Sequence, residues 1–125
     1  MADVTVRRVE EMERYTGETT GGQFVYAGKS LGVGAWGMNV VDMPPHWDGY
    51  PDHDHAADGQ EEVYVILSGE AVLHAEGRRW ELATGMFARV GPGTRRKIVP
   101  GANGARLLAL GGTPGKVYER PAWQK

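Results

Sequence analysis

Nineteen glycines and seven prolines, scattered along nearly the whole chain, are the feature that most restricts its fold. An interior glycine costs a helix about 1 kcal/mol and an interior proline about 3 kcal/mol, so a helical bundle is excluded. Between these breakers lie short runs rich in β-branched, leucine and aromatic residues, at 23–26, 38–43, 62–67, 70–75, 79–82, 87–90, 97–99 and 105–110. Each has strand length and is bounded by turn residues. Ser68-Gly69 and Glu76-Gly77 read as hairpin connections, and Ala83-Thr84-Gly85 as a further turn. Many short, evenly spaced strands predict an all-β sandwich or barrel. The one helical signal, Val9 and Met12 a turn apart within 8–15, predicts a single turn on the outside. The tail 113–125, with Pro114 and Pro121, reads as an extended arm whose Tyr118 and Trp123 pack on something.

A length of 125 residues fits one domain, with no repeat or linker to divide it. Fourteen Lys and Arg against sixteen Asp and Glu give a net charge of −2, which argues against a nucleic-acid partner. The absence of cysteine excludes disulfides, thiolate metal sites and a cysteine nucleophile, and it fits a reducing compartment. No apolar run at the start reaches the length of a signal peptide or membrane span. The expectation is a cytoplasmic protein with no membrane partner.

The chemistry-bearing segment is 50–69. His53 and His55 stand at i and i+2, so on an extended chain both imidazoles point to one face. Glu62 opens the next strand after a turn at Asp58-Gly59, and its carboxylate returns to the same place if that face is the inside of a barrel. Two imidazoles and a carboxylate suit Fe, Mn, Ni or Zn and leave coordination positions open for a substrate.

His53, His55, Glu62 and Gly69, with six residues between the last two, resemble the first motif of the cupin superfamily, specifically its small single-domain members. The spacer before Glu62 is longer than usual and the leading glycine is displaced. The stretch from Gly85 through Gly91-Pro92-Gly93 to Arg96 has the length of the second cupin motif, with Arg96 where the last metal-binding histidine is expected. The resemblance spans roughly 38–112 and implies a double-stranded β-helix, or jelly-roll barrel, commonly assembled as a homodimer. On this reading 1–125 is a single cupin domain. Residues 1–37 supply N-terminal strands and a short helix, 38–112 carry the barrel motifs and 113–125 form the arm. The fold hosts oxygenases, isomerases, decarboxylases, epimerases, storage proteins and ligand sensors, so it does not define the reaction.

Arg96 divides the functional reading. A guanidinium has no lone pair to offer a metal. At ~4 Å and an effective dielectric of ~20 it would oppose a dication by about 8 kcal/mol, against about 10–16 kcal/mol for a good metal site. Either Arg96 turns away and a metal sits on His53, His55 and Glu62, or it turns inward and pairs with Glu62 where the ion would have been. The first case predicts a mononuclear metal protein acting on a small organic acid, such as an oxygenase or isomerase. The second predicts a metal-free module whose Arg96 grips an anionic ligand in bidentate fashion. A homodimer with a vestigial pocket is a third reading.

Tyr64, on the strand face of Glu62, joins Trp47, Trp36 and Arg96 among residues expected near the cavity, and His74 is the substitute should a fourth ligand exist. Asp52, Asp54 and Glu61 are out of phase with His53, His55 and Glu62 and are expected to face solvent. The run Arg95-Arg96-Lys97 reads as a solvated strand edge with one inward residue.

Overall fold

The computed structural model describes residues 2–125. Six strands carry the fold: β1 (Gln23–Val25), β2 (Gly37–Met43), β3 (Glu61–Ala75), β4 (Arg78–Ala83), β5 (Phe87–Val90) and β6 (Arg96–Gly112). All pairings are antiparallel, in the order β1-β2-β6-β3-β4, with β5 on β3. The architecture is all-β, as the breakers predict, and it is the jelly roll that the cupin resemblance implies. Helix is confined to α1 (Ala27–Leu31) and to 3-10 turns at Val9–Glu11 and Ala122–Gln124. The turn at Val9–Glu11 falls within the weak helical signal, whereas α1 had none: it is five residues long, contains Gly28 and stops at Gly32 in the left-handed region. Among the described residues no helix is long and apolar enough to cross a membrane.

Two expected breaks are not breaks. Ser68-Gly69 does not reverse the chain, and 97–99 and 105–110 are not separate strands. β3 and β6 instead run through both halves of the molecule, paired from Glu61↔Gly112 to Ala75↔Arg96. Register shifts between Ile66/Ser68 and Gly69/Ala71 bend the pair without ending it. At the bend the chains touch backbone to backbone. Gly69 has φ +75°, and a Cβ built on it would overlap the Gly104 carbonyl. Glu76-Gly77, by contrast, is the tight hairpin expected between β3 and β4, both residues having positive φ.

The bend also exchanges the faces of β3. Before it the inward positions are even, with Tyr64 and Ile66 buried; after it they are odd, with Ala71, Leu73 and Ala75 buried. Ile66, Ile98, Leu107 and Val41 meet in the core with almost no exposure. Each such side chain contributes about 1.5–3 kcal/mol relative to the exposed state. One end of this core is polar, and that end holds the site.

Candidate metal centre

The His-x-His segment is extended because it is laced to the start of β6. His53 N–H donates to the Arg96 carbonyl at 3.0 Å, Arg96 N–H returns a bond to the His53 carbonyl at 2.8 Å, and His55 N–H donates to the Pro92 carbonyl at 2.8 Å. With the backbone held flat, both imidazoles project to one side, their ring centroids 5.1 Å apart and their planes perpendicular. Glu62, near the start of β3, brings its carboxylate between them. Its Oε1 lies 3.2 Å from His53 Nε2 and 3.1 Å from His55 Nε2. Among the described residues this trio is the one group of three or more metal-capable side chains so closely gathered.

The outer nitrogens decide the chemistry of the inner ones. His53 Nδ1 lies 2.9 Å from the Pro51 carbonyl, which can only accept, so Nδ1 carries the proton. His55 Nδ1 lies 3.1 and 3.2 Å from the two oxygens of Asp58. Burial raises the Asp58 carboxyl, but the Gln60 amide and His55 outweigh it and hold the group below its ordinary value, so the carboxylate also only accepts. In each neutral ring Nε2 is then a lone pair aimed at a carboxylate oxygen. Three electron-rich atoms facing one another require a cation among them, a proton or a metal ion.

The charges respond accordingly. Burial raises the Glu62 carboxyl, yet the bonds to His53 and Tyr64 and the nearby imidazoles bring it below its ordinary value. Burial lowers the His53 imidazolium, and the bonds to Glu62 and Pro51 reverse this to a net rise. Tyr64 is buried and its hydroxyl donates to Glu62 Oε1 at 2.6 Å. Its phenol is pushed far up, first by burial and then by Tyr50 and Glu62, so it stays a donor.

Arg96 turns inward, 0% exposed, with Nη2 3.6 Å from Glu62 Oε1. It is nevertheless not where an anion-gripping arginine was expected. The guanidinium does not line the cavity; it lies among the carbonyls of His53, Val90 and Gly91 at 3.4–3.5 Å, and its buried Nε has no partner. Of the two orientations weighed for Arg96, turned away or turned inward against Glu62, the structure has the inward one, with His53, His55 and Glu62 converged beside it. The other expected lining residues stand elsewhere. His74 is exposed on β3, because the bend puts its parity outside, and Trp36 is on the surface. Trp47 is buried in the core, its indole donating to the Thr19 carbonyl at 2.9 Å. Asp52 and Asp54 face outward and pair with Arg95, as Glu61 does with Arg89. Asp58, read only as a turn residue, is the partner of His55; its place three residues after His55 was the available signal.

Beside the trio opens a cavity of about 860 Å³ with Phe24, Val41, Tyr50 and Ala109 among its apolar walls. The segment 113–125 forms its far side. The expected arm thus packs back on its own chain: Gln124 is 4% exposed and its amide donates to Asn39 Oδ1 at 3.2 Å, while Arg120 donates to the Val33 carbonyl at 2.7 Å. Trp123 stands edge-on to Tyr15 and Tyr26.

A bent antiparallel barrel with two imidazoles and a carboxylate gathered at one end defines a cupin. The sequence profile described as the cupin domain matches residues 39–110, more than half of the chain, and the protein belongs to that family. Similar solved structures share its fold. A cupin protein of Bacteroides fragilis superposes with a TM-score of 0.68 at 21% identity, covering 100% of this chain and 97% of the other. A sugar phosphate isomerase from the cupin superfamily of Silicibacter pomeroyi gives 0.75 at 21%, covering 88% and 77%. A predicted oxalate decarboxylase from Thermotoga maritima gives 0.67 at 24%, covering 86% and 97%. Among curated proteins no match is found.

Proposed function

We propose that the chain is a mononuclear metal cupin in which His53 Nε2, His55 Nε2 and Glu62 hold one divalent ion, and that the adjoining cavity takes a small organic acid. The observation that carries this reading is the convergence of two imidazole lone pairs on one carboxylate oxygen at 3.1 and 3.2 Å, with the outer nitrogens committed elsewhere. Such a set fits Fe, Mn, Ni or Zn, and three protein ligands leave open positions for a chelating acid. A metal there supplies Lewis acidity or oxygen activation. The chain's own groups fix the ligands: Tyr64 holds the Glu62 carboxylate, and Asp58 and Pro51 hold the rings. Fold relatives described as a predicted oxalate decarboxylase and as HppE in an iron(II) form support the class of chemistry.

The test is elemental analysis of protein purified without chelating resin. At least half-stoichiometric Fe, Mn, Ni or Zn is expected (about 0.5 ion per chain), with loss of the ion in His53→Ala. Metal-free wild type that fails to take up any of the four ions on dialysis would remove the reading. In that case the trio is an imidazolium–carboxylate cluster, closed by protons.

A further inference from the structure

Resting on that reading, we propose that Arg96 makes metal uptake depend on an anionic co-ligand. The site binds a divalent ion weakly alone and tightly together with a bidentate dicarboxylate, the two being held as a neutral pair. Three observations lead there. First, Arg96 is a fully buried charge whose one carboxylate partner within 4 Å, among the described residues, is Glu62. Its backbone is laced to His53 in both directions, which ties the residue that carries the guanidinium to the segment that carries the ligands.

Second, the formal charges of the ligand set balance without the ion. With both rings neutral, as donors to a metal must be, Glu62 (−1) and Arg96 (+1) sum to zero, and Asp58 beyond His55 has a side chain 53% exposed to screening solvent. A dication therefore leaves +2 uncompensated in a site where the Glu62 side chain is only 12% exposed. A neutral histidine in place of Arg96 would leave +1. Uncompensated charge in such surroundings is costly, and a dianion removes all of it whereas a monoanion does not. Third, the guanidinium is walled off from the cavity by its own carbonyl cage, so it acts on the co-ligand through its field and not by contact. A lysine at 96 should therefore preserve the effect, which a hydrogen-bonding arginine would not allow. Binding free energies being reciprocal, the dicarboxylate must also bind the loaded protein more tightly than the metal-free one.

Calorimetric titration of the whole chain with Mn²⁺, alone and with oxalate or acetate as probe, tests this. After correction for Mn–oxalate formation in solution, oxalate is expected to tighten Mn²⁺ binding by about tenfold or more, and acetate by much less. Arg96→Gln is expected to bind Mn²⁺ alone about tenfold more tightly than wild type and to lose the oxalate effect, while Arg96→Lys keeps it. Equal coupling in wild type and Arg96→Gln would overturn the role of Arg96, as would firm Mn²⁺ binding by wild type that oxalate leaves unchanged. Should the glutamine variant not fold, oxalate titration of metal-free and Mn²⁺-loaded wild type decides alone, equal affinities overturning the proposal. Wild type that takes up no Mn²⁺ with or without oxalate overturns this inference, and it overturns the metal reading as well only when Fe, Ni and Zn also fail to bind.

Discussion

The Tyr64 hydroxyl donates 2.6 Å to Glu62 Oε1, the same oxygen that both imidazoles approach. A buried phenol thereby turns a carboxylate at the start of β3 toward two rings on a loop some nine residues earlier in the chain. Replacing it with phenylalanine keeps the ring in the core and removes only the donor. Tyr64→Phe should destabilise the metal-free protein by about 1.5–3 kcal/mol, the usual worth of a hydrogen bond to a charged group, as read from urea unfolding. Its metal affinity should fall as well, since Oε1 is no longer held. An unchanged affinity would show that Tyr64 serves packing alone.

Asp58 holds His55 as Tyr64 holds Glu62. Asp58→Ala removes the acceptor for Nδ1–H and should weaken metal binding by about 10–100-fold, with the far-UV spectrum unchanged. Asp58→Asn retains an acceptor oxygen and should fall between the two. Calorimetry on the three proteins orders them.

The metal-free protein should be most stable in mildly acid solution. Glu62 titrates below its ordinary value when folded, so its contribution is present above about pH 4.5 and is lost as pH falls through the folded value. His53 titrates above its ordinary value, so its contribution is full below about pH 6.5 and is lost as pH rises through the folded value. Thermal melts across this range should show a maximum between the two limits. Metal affinity should rise with pH in the His53 range, because the ion displaces that proton. A metal-free melting curve that climbs steadily to pH 8 would contradict the assignment.

Gly69 and Gly77 both have positive φ, at +75° and +73°, but they differ in what a side chain would meet. At Gly77 nothing lies within 4 Å, so Gly77→Ala should cost only the left-handed backbone, about 1–2 kcal/mol. At Gly69 the new methyl would strike the Gly104 backbone at the bend. Gly69→Ala should cost clearly more, beyond the ~1–3 kcal/mol of a strained residue, and should disturb metal binding because β3 and β6 together carry Glu62 and Arg96. Paired chemical denaturation curves compare the two.

Much of this was visible in the amino-acid order, and the exceptions share a cause. Periodicity placed His53 and His55 on one face and Glu62 beside Tyr64, because alternation along an extended chain is local. His74, held only as a substitute ligand, lies outside for a nonlocal reason: the register shifts between Ile66 and Ala71 change the parity of the second half of β3, and only the pairing with β6 reveals it. The same blindness made Ser68-Gly69 look like a hairpin, since glycine signals positive φ and does not say whether the chain then reverses or bends. Trp47 lies close to the ligands in sequence, but its indole donates to the Thr19 carbonyl and its ring packs on Phe24 in the core. The arm 113–125 gave no hint of walling the cavity, as its anchors at Asn39 and Val33 lie some eighty residues away.

The long β3–β6 ladder has a kinetic consequence. Its rungs join residues 51 apart at Glu61↔Gly112 and 21 apart at Ala75↔Arg96, and His53 reaches Arg96 across a separation of 43. Chains built on such distant pairings acquire order slowly, in about milliseconds to seconds, because the connecting loops close before contacts reward them. The three donor atoms therefore do not exist as a set in any early fragment. A divalent ion is expected to meet its full donor set only after β6 has paired with β3 and with His53.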